Sequence, residues 1–402
     1  MPFDLPAATP TQSLSILHVM PSFPVLSETF VSNEIRALRA QGHRVVPLAL
    51  SAQAHPCQPD DEAFRAETLH MPRIPAFRAL AALAPRPDRL ARAAAFAAAQ
   101  RGIRPRSLML AGARVALAAR QAGCTHLHAH FAHAPAATAI VAARLAGATV
   151  SFTGHGYDVY GAAAADLAAK LAAADLAIAV CADMAADFRA IHPGARVALV
   201  PCGVDPARFR PLPQAGRNGR LLAVGRLAPQ KGYEVLLAAL AALPGERRPV
   251  VDAVGGGELE LRLTTLARNL GVSDSIRFLG PRPAGWIAEE GPRYLGFVAP
   301  YVITADGDRD TGPLVVKEAL AMGLPVLASA LMGLKESVAP GCGWLVPPGD
   351  AAALAEGLAG IAALHEATRR AMGDAGRAHV RAHFTLAAQA GGLAAAIAGI
   401  GR

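Results

Sequence analysis

Asp310-Thr311-Gly312-Pro313-Leu314-Val315-Val316-Lys317-Glu318-Ala319-Leu320-Ala321-Met322-Gly323-Leu324-Pro325-Val326 sets two carboxylates eight residues apart, one in a loop and one on the helix that the loop opens. Between them stand a turn-former, Gly312, and a residue suited to the first helical position, Pro313. A helix beginning here aims unpaired backbone N–H groups and a positive dipole end at whatever binds in front of it. That suits a phosphate flanked by hydroxyls. A sugar nucleotide offers both: a diphosphate for the amides, and ribose and sugar hydroxyls for the two carboxylates. Pro313 has no N–H, so one donor is missing from the run around Gly312 and Leu314.

Working outward, short apolar strands alternate with helical periods. Ser15–Met20, His43–Ala49, Leu127–Phe131, Thr149–Thr153, Leu176–Val180 and Val197–Pro201 read as strands of a first half. Arg220–Val224, Val250–Val254, Ile276–Leu279, Leu295–Ala299 and Pro325–Ala328 read as strands of a second. Such alternation predicts an α/β chain with parallel sheets covered by helices. The proline- and glycine-rich stretch 206–219 reads as a linker between residues 1–205 and 220–384, and 385–402 as a closing Ala-rich helix. Gly225-Arg226-Leu-Ala-Pro-Gln-Lys231-Gly232 follows a strand and puts two cations on one loop. Fixed cations there can meet the charge of a departing diphosphate. An ordinary strand-to-helix turn with surface cations gives the same pattern. Val254-Gly255-Gly256-Gly257-Glu258 is a glycine cluster after the next strand, equally consistent with a tight turn.

These segments together resemble glycosyltransferase family 4, the retaining transferases of the GT-B fold. Asp310 to Glu318 is similar to the family's E-x7-E region, with Asp in place of the usual first Glu. Gly225 to Gly232 resembles G-R-x-x-x-x-K-G, Val254 to Glu258 resembles V-G-x-G-x, and Thr153-Gly154-His155-Gly156-Tyr157-Asp158 resembles T-x-H-G-x-D. The resemblance runs from about Ile16 to the C-terminus. It implies two Rossmann-like domains facing each other across a cleft, with the last helix crossing back to the N-terminal domain. It implies that Arg226 and Lys231 grip the diphosphate, that Glu318 accepts from ribose and Asp310 from the transferred sugar, and that His155 contacts that sugar. Gly225, Gly256, Gly257, Arg277, Gly312, Pro313 and Leu314 would line the donor, with Arg277 on a strand beside the base. Ser27, Glu28 and Asp158 would lie on the acceptor side, Ser27 also being a natural helix N-cap.

Two features invite a metal reading. Asp306-Gly307-Asp308 is a D-x-D, and His126, His128 and His130 alternate on one strand face. Arg226 and Lys231 already supply the charge compensation that a D-x-D metal would duplicate, and the family's similar histidine strand holds no metal. No metal and no cofactor are therefore expected, the nucleotide-diphosphate sugar being a substrate. The expected reaction is metal-independent hexosyl transfer, with retention, to a glycan or lipid-linked acceptor in polysaccharide or glycolipid assembly. A sugar-nucleotide 2-epimerase of the same fold is the alternative reaction. A catalytically weak, transferase-like binding subunit is the non-enzymatic alternative, suggested by Asp310 and by Gly333-Leu334-Lys335-Glu336 in place of G-x-P-E.

Composition agrees. The 402 residues hold 53% hydrophobic and 17% charged side chains, enough for two ordinary cores. Five cysteines without metal-ligand spacing fit a reducing, cytoplasmic setting. Met1 to Ser15 lacks a signal-peptide pattern, and no apolar run is long enough to span a bilayer. The net charge of +8 is concentrated in 71–120, where Asp88 is the single acid among many arginines. A solvated helix face explains that run, as does an anionic membrane surface met peripherally from the inner side. Nucleic acid is not expected, since aromatics do not interleave with the arginines.

Overall fold

Runs of Val, Ile, Leu and Ala bounded by turn residues become parallel strands, the central ones buried on both faces. In the computed structural model, which describes residues 13–81, 86–161, 165–212 and 216–400, these strands form two separate sheets. The chain divides into two units, one running to Pro201 and taking back the residues from Leu386 onward, the other spanning Cys202–Thr385.

The first unit carries β1 (Ser15–Met20), β2 (Arg44–Ala49), β3 (Leu69–His70), β4 (His126–His130), β5 (Thr149–Thr153), β6 (Leu176–Ala179) and β7 (Val197–Leu199). They lie in the order β3-β2-β1-β4-β5-β6-β7, all parallel. The order reverses between β1 and β4, so the loops leaving those two strands diverge and open a binding crevice at their carboxyl ends. Helix Thr29–Ala40 buries Val31, Ile35 and Leu38. Closing helix Leu386–Ala398 lays Ala390, Leu393, Ala394 and Ile397 into the same cluster as Ile16, Ile35, Leu38 and Ile178.

The second unit carries β8 (Leu221–Val224), β9 (Val251–Val254), β10 (Ile276–Phe278), β11 (Gly296–Ala299), β12 (Val326–Ser329) and β13 (Gly343–Val346), in the parallel order β10-β9-β8-β11-β12-β13. Its reversal falls between β8 and β11, whose outgoing loops carry Lys231 and Asp310 respectively. The stretch expected as a linker is held on this unit where it is described. Phe209 is buried, and Arg377 donates to the carbonyls of Ala321 (2.6 Å), Pro206 (3.3 Å) and Phe209 (3.5 Å). Residues 213–215 of that stretch lie outside the described residues. Edge strands β3 and β13 were not expected. Among the described residues, no helix is long and apolar enough to cross a membrane.

Candidate active site

In the second unit the loop after β8 and the loop after β11 meet. Gly232 makes this approach feasible: its φ is +66°, and a Cβ there would lie 1.8 Å from the Pro300 carbonyl oxygen. A larger residue would push the two loops apart. Lys231 consequently reaches Asp310, Nζ to Oδ2 at 2.5 Å, and stands over the Tyr301 ring at 4.2 Å from its centroid. Burial works against the ammonium, but Asp310 and Tyr301 outweigh it and raise its pKa, so Lys231 stays charged. This differs from the expected division of labour, in which Lys231 met only phosphate and Asp310 only sugar. Each is the other's partner. Three N–H donors on the ammonium leave two for phosphate oxygens after one is given to Asp310.

Arg226 is exposed on the same loop. Behind it, Gly225 donates to the Val254 carbonyl and Leu227 to that of Gly256, both at 2.9 Å. A Cβ on Gly257 would fall 2.5 Å from the Leu227 oxygen. The glycine cluster is thus the seat on which the Arg226–Lys231 loop rests.

Helix Leu314–Ala321 starts one residue later than expected, with Pro313 as the flanking residue (φ −62°, ψ 124°). The extended ψ keeps Pro313 outside the first turn. Glu318, half-buried, has its carboxyl raised to about 7, chiefly by desolvation, with Arg208 pulling it partly back. Its neighbour Lys317 points elsewhere: it is buried, donates to the Cys202 carbonyl at 2.7 Å and stands 4.7 Å from the Phe384 ring centroid. The D-x-D residues serve a local turn. Thr304 donates its hydroxyl to Asp306, and Asp308 accepts from the Arg309 amide at 2.8 Å.

Arg277 does not join this group. Strand pairing sets it beside Asp252, and its guanidinium lies 3.3 Å from that buried carboxylate, which also receives Arg220 at 3.0 Å and the Tyr294 hydroxyl at 2.8 Å. A buried carboxylate needs such partners, so Arg277 is bound to a structural ion cluster.

In the first unit, His155 follows β5. Its ring lies 4.3 Å from that of Phe30 and 4.9 Å from that of Phe131, centroid to centroid. Burial, reinforced by His130, His128 and His133, holds its pKa well below the ordinary value, so the imidazole is neutral. Asp158 is not available to an acceptor. It is buried and its carboxylate accepts from the amides of Ala132 (2.7 Å), His155 (3.0 Å) and Gly156 (2.9 Å). It fixes the loop that carries His155. Asp158→Ala orphans these N–H groups and is expected to cost about 2–4 kcal/mol, measured as a lower Tm in thermal unfolding. Ser27 is exposed and does not cap the helix; Glu28 flanks it without a side-chain cap. Desolvation lifts the Glu28 carboxyl to about 7, with His130 opposing.

The histidine strand resolves residue by residue. β4 pairs with β5, setting His126, His128 and His130 opposite Thr149, Ser151 and Thr153. His126 bonds Thr149 (2.8 Å) and Ser151 (2.7 Å); His128 bonds Ser151 (2.7 Å) and Thr153 (3.1 Å). Those rings are spent on hydroxyls, and burial, opposed at His128 by Glu34, lowers both to about 3. His130 instead meets Glu34 and His155, each at 3.1 Å. His18, Glu34 and His130 place one ligand atom each within 4.8 Å of one another. Glu34 was not anticipated, although a carboxylate on the apolar stripe Val31-Ile35-Leu38 was a readable signal. Tyr301 and Arg208 were missed because neither belongs to a short motif.

Residues 27–208 match Glycosyltransferase Family 4, and residues 206–379 match Glycosyl transferases group 1. The chain is 33% identical over 176 residues to the putative colanic acid biosynthesis glycosyltransferase WcaL of Escherichia coli K12, covering 43% of each chain. It is 33% identical over 171 residues to the amylovoran biosynthesis glycosyltransferase AmsK of Erwinia amylovora, covering 40% of this chain and 41% of that one. The matches thus span less than half the length of these relatives. Anabaena HepE, crystallised with UDP, superposes with a TM-score of 0.69 at 18% identity over 96% of this chain and 100% of that one. The two parallel-sheet Rossmann-like units are those of the GT-B fold.

Proposed function

We propose that this chain, which belongs to the glycosyltransferases built from a Family 4 domain followed by a group 1 domain, moves a hexosyl unit from a nucleotide-diphosphate sugar to a glycan or lipid-linked acceptor in exopolysaccharide assembly. The observation that carries this reading is the meeting of Lys231, Asp310 and Tyr301 at the strand-order reversal of the second sheet. Nucleotides bind at such reversals. Lys231 and Arg226 are the cations on that loop that can meet a diphosphate, Lys231 being held by Asp310. Glu318, half-buried on the following helix, supplies the ribose acceptor.

The reaction proceeds with retention and without a metal ion. The bond from the anomeric carbon to the donor phosphate breaks, and the acceptor oxygen bonds that carbon from the same face. The acceptor's proton passes to the departing phosphate oxygen. Lys231 and Arg226 hold the charge that develops on the diphosphate. Excess EDTA is expected to leave turnover unchanged.

Thermal-shift screening against UDP-, GDP- and ADP-sugars tests the reading. A bound donor at about 100 times Kd adds about 2.7 kcal/mol, a rise in Tm of several degrees. No shift with any nucleotide sugar, together with no nucleoside diphosphate released in the presence of glycan acceptors, would remove it. The anomeric coupling in the product reports retention.

A membrane surface is the second part of the proposal. Arg73, just before helix Ala76–Ala81, and Arg78, Arg86, Arg104 and Arg106, on and between the helices Ala76–Ala81, Pro87–Ala98 and Pro105–Gln121, are exposed, alongside exposed Phe77 and Leu90. Each such arginine contributes about 1 kcal/mol at an anionic surface. The protein should co-float with anionic vesicles and not with neutral ones; equal partitioning discards this part.

A further inference from the structure

Glu34 is an ionisable group on the buried stripe of helix Thr29–Ala40, a position where an apolar side chain would avoid the desolvation cost of a charge. Its contacts account for it. Gln389, on the closing helix, donates Nε2–H to Oε2 at 2.8 Å. Oε1 stands 3.1 Å from His130 Nε2. Burial alone would raise the carboxyl, yet the His130 contact and the Gln389 bond hold it below its ordinary value. Glu34 is therefore a carboxylate, which only accepts, and His130 Nε2 must carry a proton. The other ring nitrogen of His130, Nδ1, lies 3.1 Å from His155 Nε2.

We infer that Gln389, Glu34 and His130 form a buried relay that fixes the tautomer of His155, with the proton on Nε2 and a lone pair on Nδ1. The assignment of His155 to the transferred sugar rests on the transferase reading above; the relay does not. A His130 ring whose one proton sits on Nε2, toward Glu34, offers a lone pair at Nδ1, and His155 donates to it. His155 then presents Nδ1 as an acceptor for a hydroxyl, and Phe30 and Phe131 pack beside the ring. Glu34, His130 and Gln389 are positioning residues, since they act through His155.

A metal ion is the competing occupant of this cluster, because neither ring nitrogen of His18 has a hydrogen-bond partner among the described residues. The spacing favours the relay. Tetrahedral zinc at about 2.0–2.2 Å from each ligand needs ligand atoms roughly 3.3–3.6 Å apart, whereas His18 Nδ1 stands 3.9 Å from Glu34 Oε1. The two occupants also predict opposite tautomers. A metal on His130 Nε2 would move that ring's proton to Nδ1 and make His155 Nε2 the acceptor.

The test is long-range proton–nitrogen NMR on the full chain as purified, with 15N-labelled histidine and His155 assigned by loss of its signals in His155→Gln. The relay predicts the Nε2–H tautomer at His155. In Glu34→Gln the amide can donate to His130, so His155 should shift toward Nδ1–H. With the protein still folded by circular dichroism, kcat should then fall about tenfold while the donor KM stays within about twofold. An Nδ1–H tautomer in the wild type, or one equivalent of zinc retained with it, overturns the relay. So does a tautomer left unchanged in Glu34→Gln. A wild type that shows the Nε2–H tautomer but transfers no sugar from any nucleotide donor overturns the transferase reading and leaves the relay standing.

Discussion

Lys231→Ala lowers kcat by about 10²–10³-fold, the usual consequence of deleting one fixed charge that meets a developing anion, while the protein stays folded. The expectation follows from how Lys231 is held. Its Nζ is 2.5 Å from Asp310, its stem packs beside Gly225 and its head stands over Tyr301. Such a cation needs no reorganisation when the diphosphate departs. Asp310→Asn should cost less, because the ammonium remains but loses the partner that orients it. A double-mutant cycle separates the two effects, since residues in direct contact couple by about 0.5–3 kcal/mol. Turnover of Lys231→Ala within twofold of wild type would show that the leaving group's charge is met elsewhere.

Glu318→Gln is expected to weaken donor binding at least tenfold at pH 8 and, in the ligand-free protein, to raise stability. Both effects come from the carboxyl lifted from 4.5 to about 7 by desolvation. The folded state binds that proton more tightly than the unfolded chain. Its stabilisation is therefore complete below pH 4.5 and is lost as pH rises through 7. At pH 8 the buried charge costs about 1–3 kcal/mol, which Gln does not incur. Donor binding has the opposite dependence. Ribose hydroxyls donate to the ionised form, so affinity falls about tenfold per pH unit below 7 in wild type and is flat in Glu318→Gln. Calorimetric Kd values between pH 6 and 8, beside Tm at pH 5 and 8, check both. A pH-independent Kd in wild type would place the ribose away from Glu318.

The alternation of the chain carried most of the fold. Thr149–Thr153 occurs within the bounds that its apolar run indicates. Edge strands escaped because β3 has only two residues, too few for any period, and β13 lies among the turn residues of Pro340-Gly341-Cys342 and Pro347-Pro348-Gly349. The candidate site was legible wherever its residues are contiguous, as in Gly225–Gly232 and Asp310–Glu318. What motifs conceal is the pairing across them. Lys231 and Asp310 are 79 positions apart, and only the β8/β11 reversal brings them into contact. Arg277 misled for the same reason: its motif names a strand, but strand register hands its charge to Asp252. Asp158 lies in a motif, yet its role is set by three backbone amides rather than by a ligand.

The closing helix imposes an order on biosynthesis. Ala390, Leu393, Ala394 and Ile397 complete the apolar cluster that Ile16, Ile35 and Leu38 begin, and Gln389 supplies the last hydrogen bond to Glu34. A ribosome adding about 5–20 residues per second must first make all of Cys202–Thr385. For on the order of ten seconds or more the nascent N-terminal portion waits with one greasy flank open to its surroundings. Chaperone occupancy during translation should therefore peak before Leu386 emerges and drop once that segment leaves the exit tunnel.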